Sequence, residues 1–86
     1  MRDELWQIEK NEQIAKDIYE MRLAGNTQEI KRPGQFINIV LEQKFLRRPL
    51  SIASWDKDGL TLVYKVVGEG TEILKGMKEG QSLRAM

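Results

Sequence analysis

The sequence predicts an all-β protein, a small antiparallel barrel with one short helix capping one end. Three observations carry this. Short β-branched and aromatic runs recur through the second half of the chain, and turns bearing glycine or proline separate them. A single break, Gly68-Glu69-Gly70, is followed by a residue able to cap a helix.

The elements follow in chain order. Residues Asp3 to Gly25 admit two descriptions. Glu, Lys, Gln, Ala, Leu and Met favour one amphipathic helix, with Ile14 and Ile18 at helical spacing and Gly25-Asn26 to close it. Trp6 and Ile8 alternate, however, as do Tyr19, Met21 and Leu23, and Lys10-Asn11-Glu12-Gln13 could connect two strands. Period and propensity do not decide between them. Arg32-Pro33-Gly34 is a turn. Gln35 to Leu41, with Phe36, Ile37, Ile39 and Val40, reads as a largely buried strand. Glu42-Gln43-Lys44 connects it to Phe45, Leu46 and the pair Arg47-Arg48.

Pro49 to Trp55 is the next strand. Proline has no N–H for a ladder, so Pro49 belongs at a strand's first residue or on an edge. Asp56-Lys57-Asp58-Gly59 is a hairpin loop, with Gly59 suited to a positive φ. Leu60 to Val67 returns, with Leu60, Leu62, Tyr64 and Val66 on one face and Thr61, Val63, Lys65 and Val67 on the other. Thr71 caps a helix over Glu72 to Gly76, and Lys78-Glu79-Gly80 turns into a strand from Ser82 to Met86.

Composition bounds the chemistry. Eighty-six residues make one domain, residues 1–86, with a thin core. Fourteen basic against thirteen acidic side chains argue against binding nucleic acid by phosphate neutralisation. With no cysteine and no histidine, thiol catalysis, thiolate or imidazole metal sites and the usual general base are all excluded. Any redox chemistry therefore falls to an organic cofactor. No catalytic residue and no metal ligand stands out. No apolar run is long enough to span a bilayer, and Met1-Arg2-Asp3-Glu4 is not a signal peptide, so a cytosolic protein without membrane contact is expected.

Two stretches could act together. Arg48 at a strand entrance can meet a phosphate through paired, charge-assisted hydrogen bonds, and Ser51 adds a hydroxyl three residues on. Gly68 and Gly70 permit close approach of backbone to ligand, and Thr71 opens a helix whose first amides lack internal partners. Each stretch alone also reads as ordinary solvated arginines or loop punctuation. Tyr64 and Trp55 could stack on a flat ring, although aromatics on strand faces more often enter a core.

With Pro33-Gly34-Gln35-Phe36, Leu46 through Asp56, Tyr64-Lys65-Val66-Val67-Gly68 and Gly70-Thr71 in view, the chain resembles the flavin-binding domain of the ferredoxin reductase superfamily. Within that superfamily it is most similar to the electron-transfer subunit of dihydroorotate dehydrogenase B. The resemblance covers nearly the whole chain, makes Ile14 to Leu23 part of a first hairpin, and implies a six-stranded antiparallel Greek-key barrel that holds FAD. It implies Arg48 at the pyrophosphate, Pro49, Leu50 and Ser51 lining the flavin, and Ser51 near the ring's redox edge. Val63, Tyr64 and Lys65 would contact the ring or its ribityl portion, and Gly70 and Thr71 the phosphates. Where many members of the superfamily carry an aromatic, this chain has Leu50, as the closer subfamily does.

The resemblance further implies a flavin-bearing catalytic dehydrogenase subunit as partner, and electron passage between a flavin and iron–sulfur chain and NAD in pyrimidine biosynthesis. A nucleotide-binding domain and a cysteine cluster are missing, so an isolated module of a longer subunit is expected. The contrasting expectation is a barrel without cofactor that self-associates through an exposed edge strand.

Overall fold

The computed structural model describes residues 4–28, 30–31, 34–41 and 46–85. The N-terminal stretch forms strands: β1 spans Glu4–Ala15 and β2 spans Ile18–Ala24. The turn between them is Lys16-Asp17, not Lys10 to Gln13, and Asp17 takes φ 59°, a conformation aspartate tolerates. Propensity favoured a helix here, but tertiary pairing overrides it. β2 is bonded on both sides, to β1 and to a later strand, and buries Met21 and Leu23 completely.

β3 is Phe36–Leu41, β4 Leu46–Asp56 and β5 Gly59–Lys65, followed by α1 at Glu69–Lys75 and β6 at Ser82–Ala85. The strands close in the order β1-β2-β5-β4-β3-β6, all neighbours antiparallel. The meander β3-β4-β5, with β6 returning through α1 to lie beside β3, is a Greek key. Closure leaves no strand with a free side along its whole length. Among the described residues no helix is long and apolar enough to cross a membrane.

Several boundaries differ from the sequence expectation. β4 begins at Leu46, so Pro49 is its fourth residue, opposite Asn38. Phe36 is not buried: it faces out at 66% exposure while Ile37 and Ile39 face in. Gly34 has φ +80°, as the turn requires, whereas Arg32, Pro33, Glu42 to Phe45 and Met86 lie outside the described residues. Gly59 does not have a positive φ. Its requirement is steric: β5 starts so close to β2 that a Cβ would run into the Leu23 carbonyl oxygen.

Three extra residues, at Glu9, Ile14 and Ala53, interrupt the ladders and set which side chains face inward. An extra residue at Glu9 separates the pairs Ile8↔Leu23 and Lys10↔Arg22. Lys10 is thereby turned out, where its ammonium donates to Glu20 at 2.7 Å and lies 3.3 Å from Glu12, relieving a directly opposed pair of glutamates. Asn11 is turned inward beside Met21. In β4 the extra residue, Ala53, separates Ile52↔Leu62 from Ser54↔Thr61.

At the β4–β5 turn the Asp56 carboxylate accepts from the Asp58 and Gly59 amides and, at 2.9 Å to both oxygens, from Arg22. The Asp58 amide first, and Arg22 next, hold its pKa below the usual carboxylate value. Its contribution to stability is therefore present above that value and lost on acidification.

Gly59→Ala is expected to destabilise the barrel by about 1–3 kcal/mol, because the clash is with backbone that cannot rotate away. Urea unfolding monitored by tryptophan fluorescence should show the lower midpoint; an unchanged midpoint would contradict the close β2–β5 approach.

Candidate functional site

The ladder between β4 and β5 runs from the Asp56–Gly59 turn only as far as Ile52–Leu62. Beyond it, residues 46–51 remain registered with β3, and Val63, Tyr64 and Lys65 with β2. The two strands therefore part into a cleft with a main-chain edge on each lip. The Ile52 amide donates to Gln35 on the β3 side at 2.9 Å. Strand alternation then turns the main chain of Pro49 and Ser51 toward β5. On the other lip the Val66 amide donates to the Asp17 carbonyl at 2.7 Å, on the β2 side. The main chain of Val63 and Lys65 accordingly faces β4. Pro49, three residues beyond the last pair at Ile52, has no N–H to donate across the opening.

Seven of the nine candidate residues lie on these two lips. Arg48 occupies the β4 position opposite Ile39, Pro49 faces Asn38, Leu50 faces Ile37 and Ser51 faces Phe36. Pro49 and Ser51 are exposed, and Leu50 is half-buried against the core. Val63 is partly exposed and Lys65 exposed. A ligand in the cleft would meet backbone carbonyls and amides from both strands, with the Ser51 hydroxyl beside them.

Tyr64 lies apart from its neighbours. Its ring is buried in the barrel, stacks on Tyr19 with centroids 5.8 Å apart, and its hydroxyl donates to Asn11 Oδ1 at 2.7 Å. Trp55 likewise packs against the core. The aromatic side chains considered as stacking platforms thus serve the interior, and Tyr64, whose main chain faces β2 like that of Val66, turns neither ring nor peptide groups into the cleft.

Gly70 and Thr71 follow the β5 lip, at the start of α1. Gly68, not Thr71, is the N-cap, and Thr71 is the third helical residue. The Thr71 hydroxyl accepts from the Val67 and Gly68 amides at 2.9 and 3.2 Å and donates to the Gly68 carbonyl at 3.1 Å. Those three bonds use all the hydroxyl can offer, so it fastens the end of β5 to the helix. Backbone amides are what Gly70 and Thr71 retain for a ligand.

Asn11 went unnoticed in the sequence. Its amide group donates to the Leu74 and Met77 carbonyls at 2.9 and 2.8 Å while its oxygen accepts from Tyr64. One side chain therefore ties the C-terminal end of α1 to β1 and β5. No sequence signal marks it, because its inward orientation depends on the Glu9 bulge.

No protein-family model matches the chain. It is 41% identical over 85 residues to the dihydroorotate dehydrogenase B electron-transfer subunit of Fusobacterium nucleatum, covering 92% of this chain and 33% of that protein. The corresponding subunit of Lysinibacillus sphaericus is 35% identical over 91 residues, covering all of this chain and 35% of that one. The chain thus spans about a third of the length of the curated relatives it matches. Among solved structures, an NADH-dependent reduced ferredoxin–NADP oxidoreductase superposes with TM-score 0.78 and 32% identity over 93% of this chain and 30% of that one. A flavohemoglobin from Malassezia yamatoensis, solved with bound FAD and heme, gives TM-score 0.76 at 18% identity, over 99% of this chain and 24% of its own, and shows the shared fold alone.

Burial pushes the Tyr64 phenol up to about 12, against the lowering effect of its bond to Asn11. A folded value above the unfolded one contributes stability that is complete below the ordinary tyrosine pKa of about 10 and is lost as pH rises through the folded value. Tyrosinate absorbance should show a step near pH 12 that disappears in Tyr64→Phe; its persistence would show that another tyrosine carries it.

Proposed function

We propose, on the premise that the chain is a relative of the dihydroorotate dehydrogenase B electron-transfer subunits across about a third of their length, that it is the FAD-holding barrel of such a subunit. In this reading residues 1–86 form one module of a longer reductase subunit. The observation that supports it best is the β4–β5 cleft, where Pro49, Ser51, Val63 and Lys65 turn main-chain edges toward one another and toward a ligand. Backbone donors and acceptors along such lips suit the alternating polar atoms of a flavin's pyrimidine ring.

FAD supplies an electron carrier able to exchange hydride with a nicotinamide and electrons with a metal centre. This chain's residues bind and orient it. Arg48 is assigned to the pyrophosphate, where a guanidinium forms paired, charge-assisted bonds. Ser51 offers its hydroxyl at the ring, Pro49 and Leu50 an apolar wall, and Val63, Tyr64 and Lys65 the opposite lip. Gly70 and Thr71 offer backbone amides to the phosphates. The partner is a flavin-bearing catalytic dehydrogenase subunit, and electrons pass between a flavin and iron–sulfur chain and NAD. The cytoplasm is the expected compartment for that step of pyrimidine biosynthesis.

Adding FAD, desalting and recording the visible spectrum tests the reading. Retained flavin absorbance is expected, with FAD affinity falling about 10- to 100-fold in Arg48→Ala, the effect of losing a charged hydrogen-bond pair. A colourless protein after desalting would refute flavin binding, and unaltered affinity in the variant would refute the role of Arg48.

A further inference from the structure

Tyr64 stands between the two residues that line the β5 lip, yet it keeps its ring and its peptide groups out of the cleft. The lip is held along one side only. Beyond Leu62 the ladder to β4 has ended, while Val63, Tyr64 and Lys65 stay registered with Glu20, Tyr19 and Ile18 on β2. Val63 and Lys65 send their side chains to the outer face, where both are exposed. Tyr64 is the one inward side chain of the three, buried to 3% exposure. A strand bonded along one side can roll about that ladder unless its inward side chain is fixed at the far end.

Tyr64 is fixed there. Its ring lies against Tyr19 with planes 22° apart, and its hydroxyl donates to Asn11 Oδ1 at 2.7 Å. Asn11 is held in turn, because its amide group donates to the Leu74 and Met77 carbonyls at 2.9 and 2.8 Å. Flipping that amide would set its oxygen against two carbonyl oxygens, so the acceptor stays under the phenol. For burial alone a phenylalanine ring would serve at position 64. The hydroxyl adds a fixed point at the end of the ring, and the Glu9 bulge is what turns its acceptor inward.

The geometry points to Asn11 and Tyr64 as a positioning pair for cofactor binding: their hydrogen bond sets the roll of the β5 lip, and with it the aim of the Val63 and Lys65 peptide groups into the cleft. The inference rests on the flavin-binding reading above. Both residues act through the lip, with no contact of their own to the flavin. A lip fixed beforehand leaves little to order on binding, whereas a misplacement of about 1 Å weakens hydrogen bonds aimed at a rigid ring.

The experiment titrates the wild-type chain, Tyr64→Phe, Asn11→Ala and the double variant with FAD and with riboflavin, following flavin fluorescence. It is run in the cold, below the onset of unfolding that flavin-free melts record for each chain. Tyr64→Phe keeps the buried ring and removes one oxygen. It should weaken FAD and riboflavin alike by roughly 3- to 10-fold, since both present the same ring to the lip. Asn11→Ala breaks the same bond from the other side and should weaken both at least as much. The double variant should lose no more than Asn11→Ala alone, because the two substitutions remove one interaction. The visible circular dichroism of the bound flavin should change in each variant, a signature that lost stability alone would not move. Wild-type affinity in folded Tyr64→Phe would overturn the inference, as would losses that add in the double variant. A Tyr64→Phe loss confined to FAD would also overturn it, by placing the effect at the phosphates. A wild-type chain that binds neither flavin overturns the underlying reading, and the positioning role with it.

Discussion

The early end of the β4–β5 ladder, at Ile52–Leu62, decides where this barrel opens. Pro49 lies where the main chain of β4 faces β5, and it cannot donate to a ladder there. The register between the two strands ends at Ile52–Leu62, one bulge beyond the hairpin, and the lips remain apart. Seven of the nine candidate residues are placed by that parting. The same substitution of ring for N–H protects the opening, because an exposed strand edge containing proline is a poor template for another chain.

Around the opening, the remainder of the ring is closed firmly. β6 has only four residues, yet it joins β1 to β3 and buries Leu83 and Ala85. The interior is almost wholly apolar, and its main polar connection is the chain from Tyr64 through Asn11 to the end of α1. A low-dielectric setting strengthens such a chain when all its members are bonded. Among the described residues the Trp6 indole N–H is the exception, buried with no bonded partner. A rigid frame with one parted seam is a sound way to hold a ligand, since little has to be ordered when it binds.

Much of this was legible in the sequence. The faces of β5, with Leu60, Leu62 and Tyr64 inward, followed from alternation alone. The turns at Gly34 and Asp56-Lys57-Asp58-Gly59 followed from their residues. What escaped were features set by the partner strand. Helix and strand balanced evenly over Asp3 to Gly25 until β2 was seen between β1 and β5. Phe36 looked buried because its neighbours Ile37 and Ile39 are, and only the register turns it outward. Thr71 has the chemistry of a cap, but the backbone enters the helix three residues earlier, so its hydroxyl works backward onto Gly68. The positions of Pro49, Ser51, Val63 and Lys65 on one cleft required two strands to separate, which no local pattern encodes.

The clamp on α1 has a consequence for the order in which the chain assembles. Seven residues are too few for a helix to persist in water by itself, where about 12–15 are needed. The side chain that holds its last carbonyls comes from β1, sixty-three residues away from Leu74 and sixty-six from Met77. The most local element of the fold therefore depends on a contact that spans most of the chain. Helix formation cannot lead; it must await the non-local collapse that brings β1 against β5, whose entropic cost sets the pace for the whole domain.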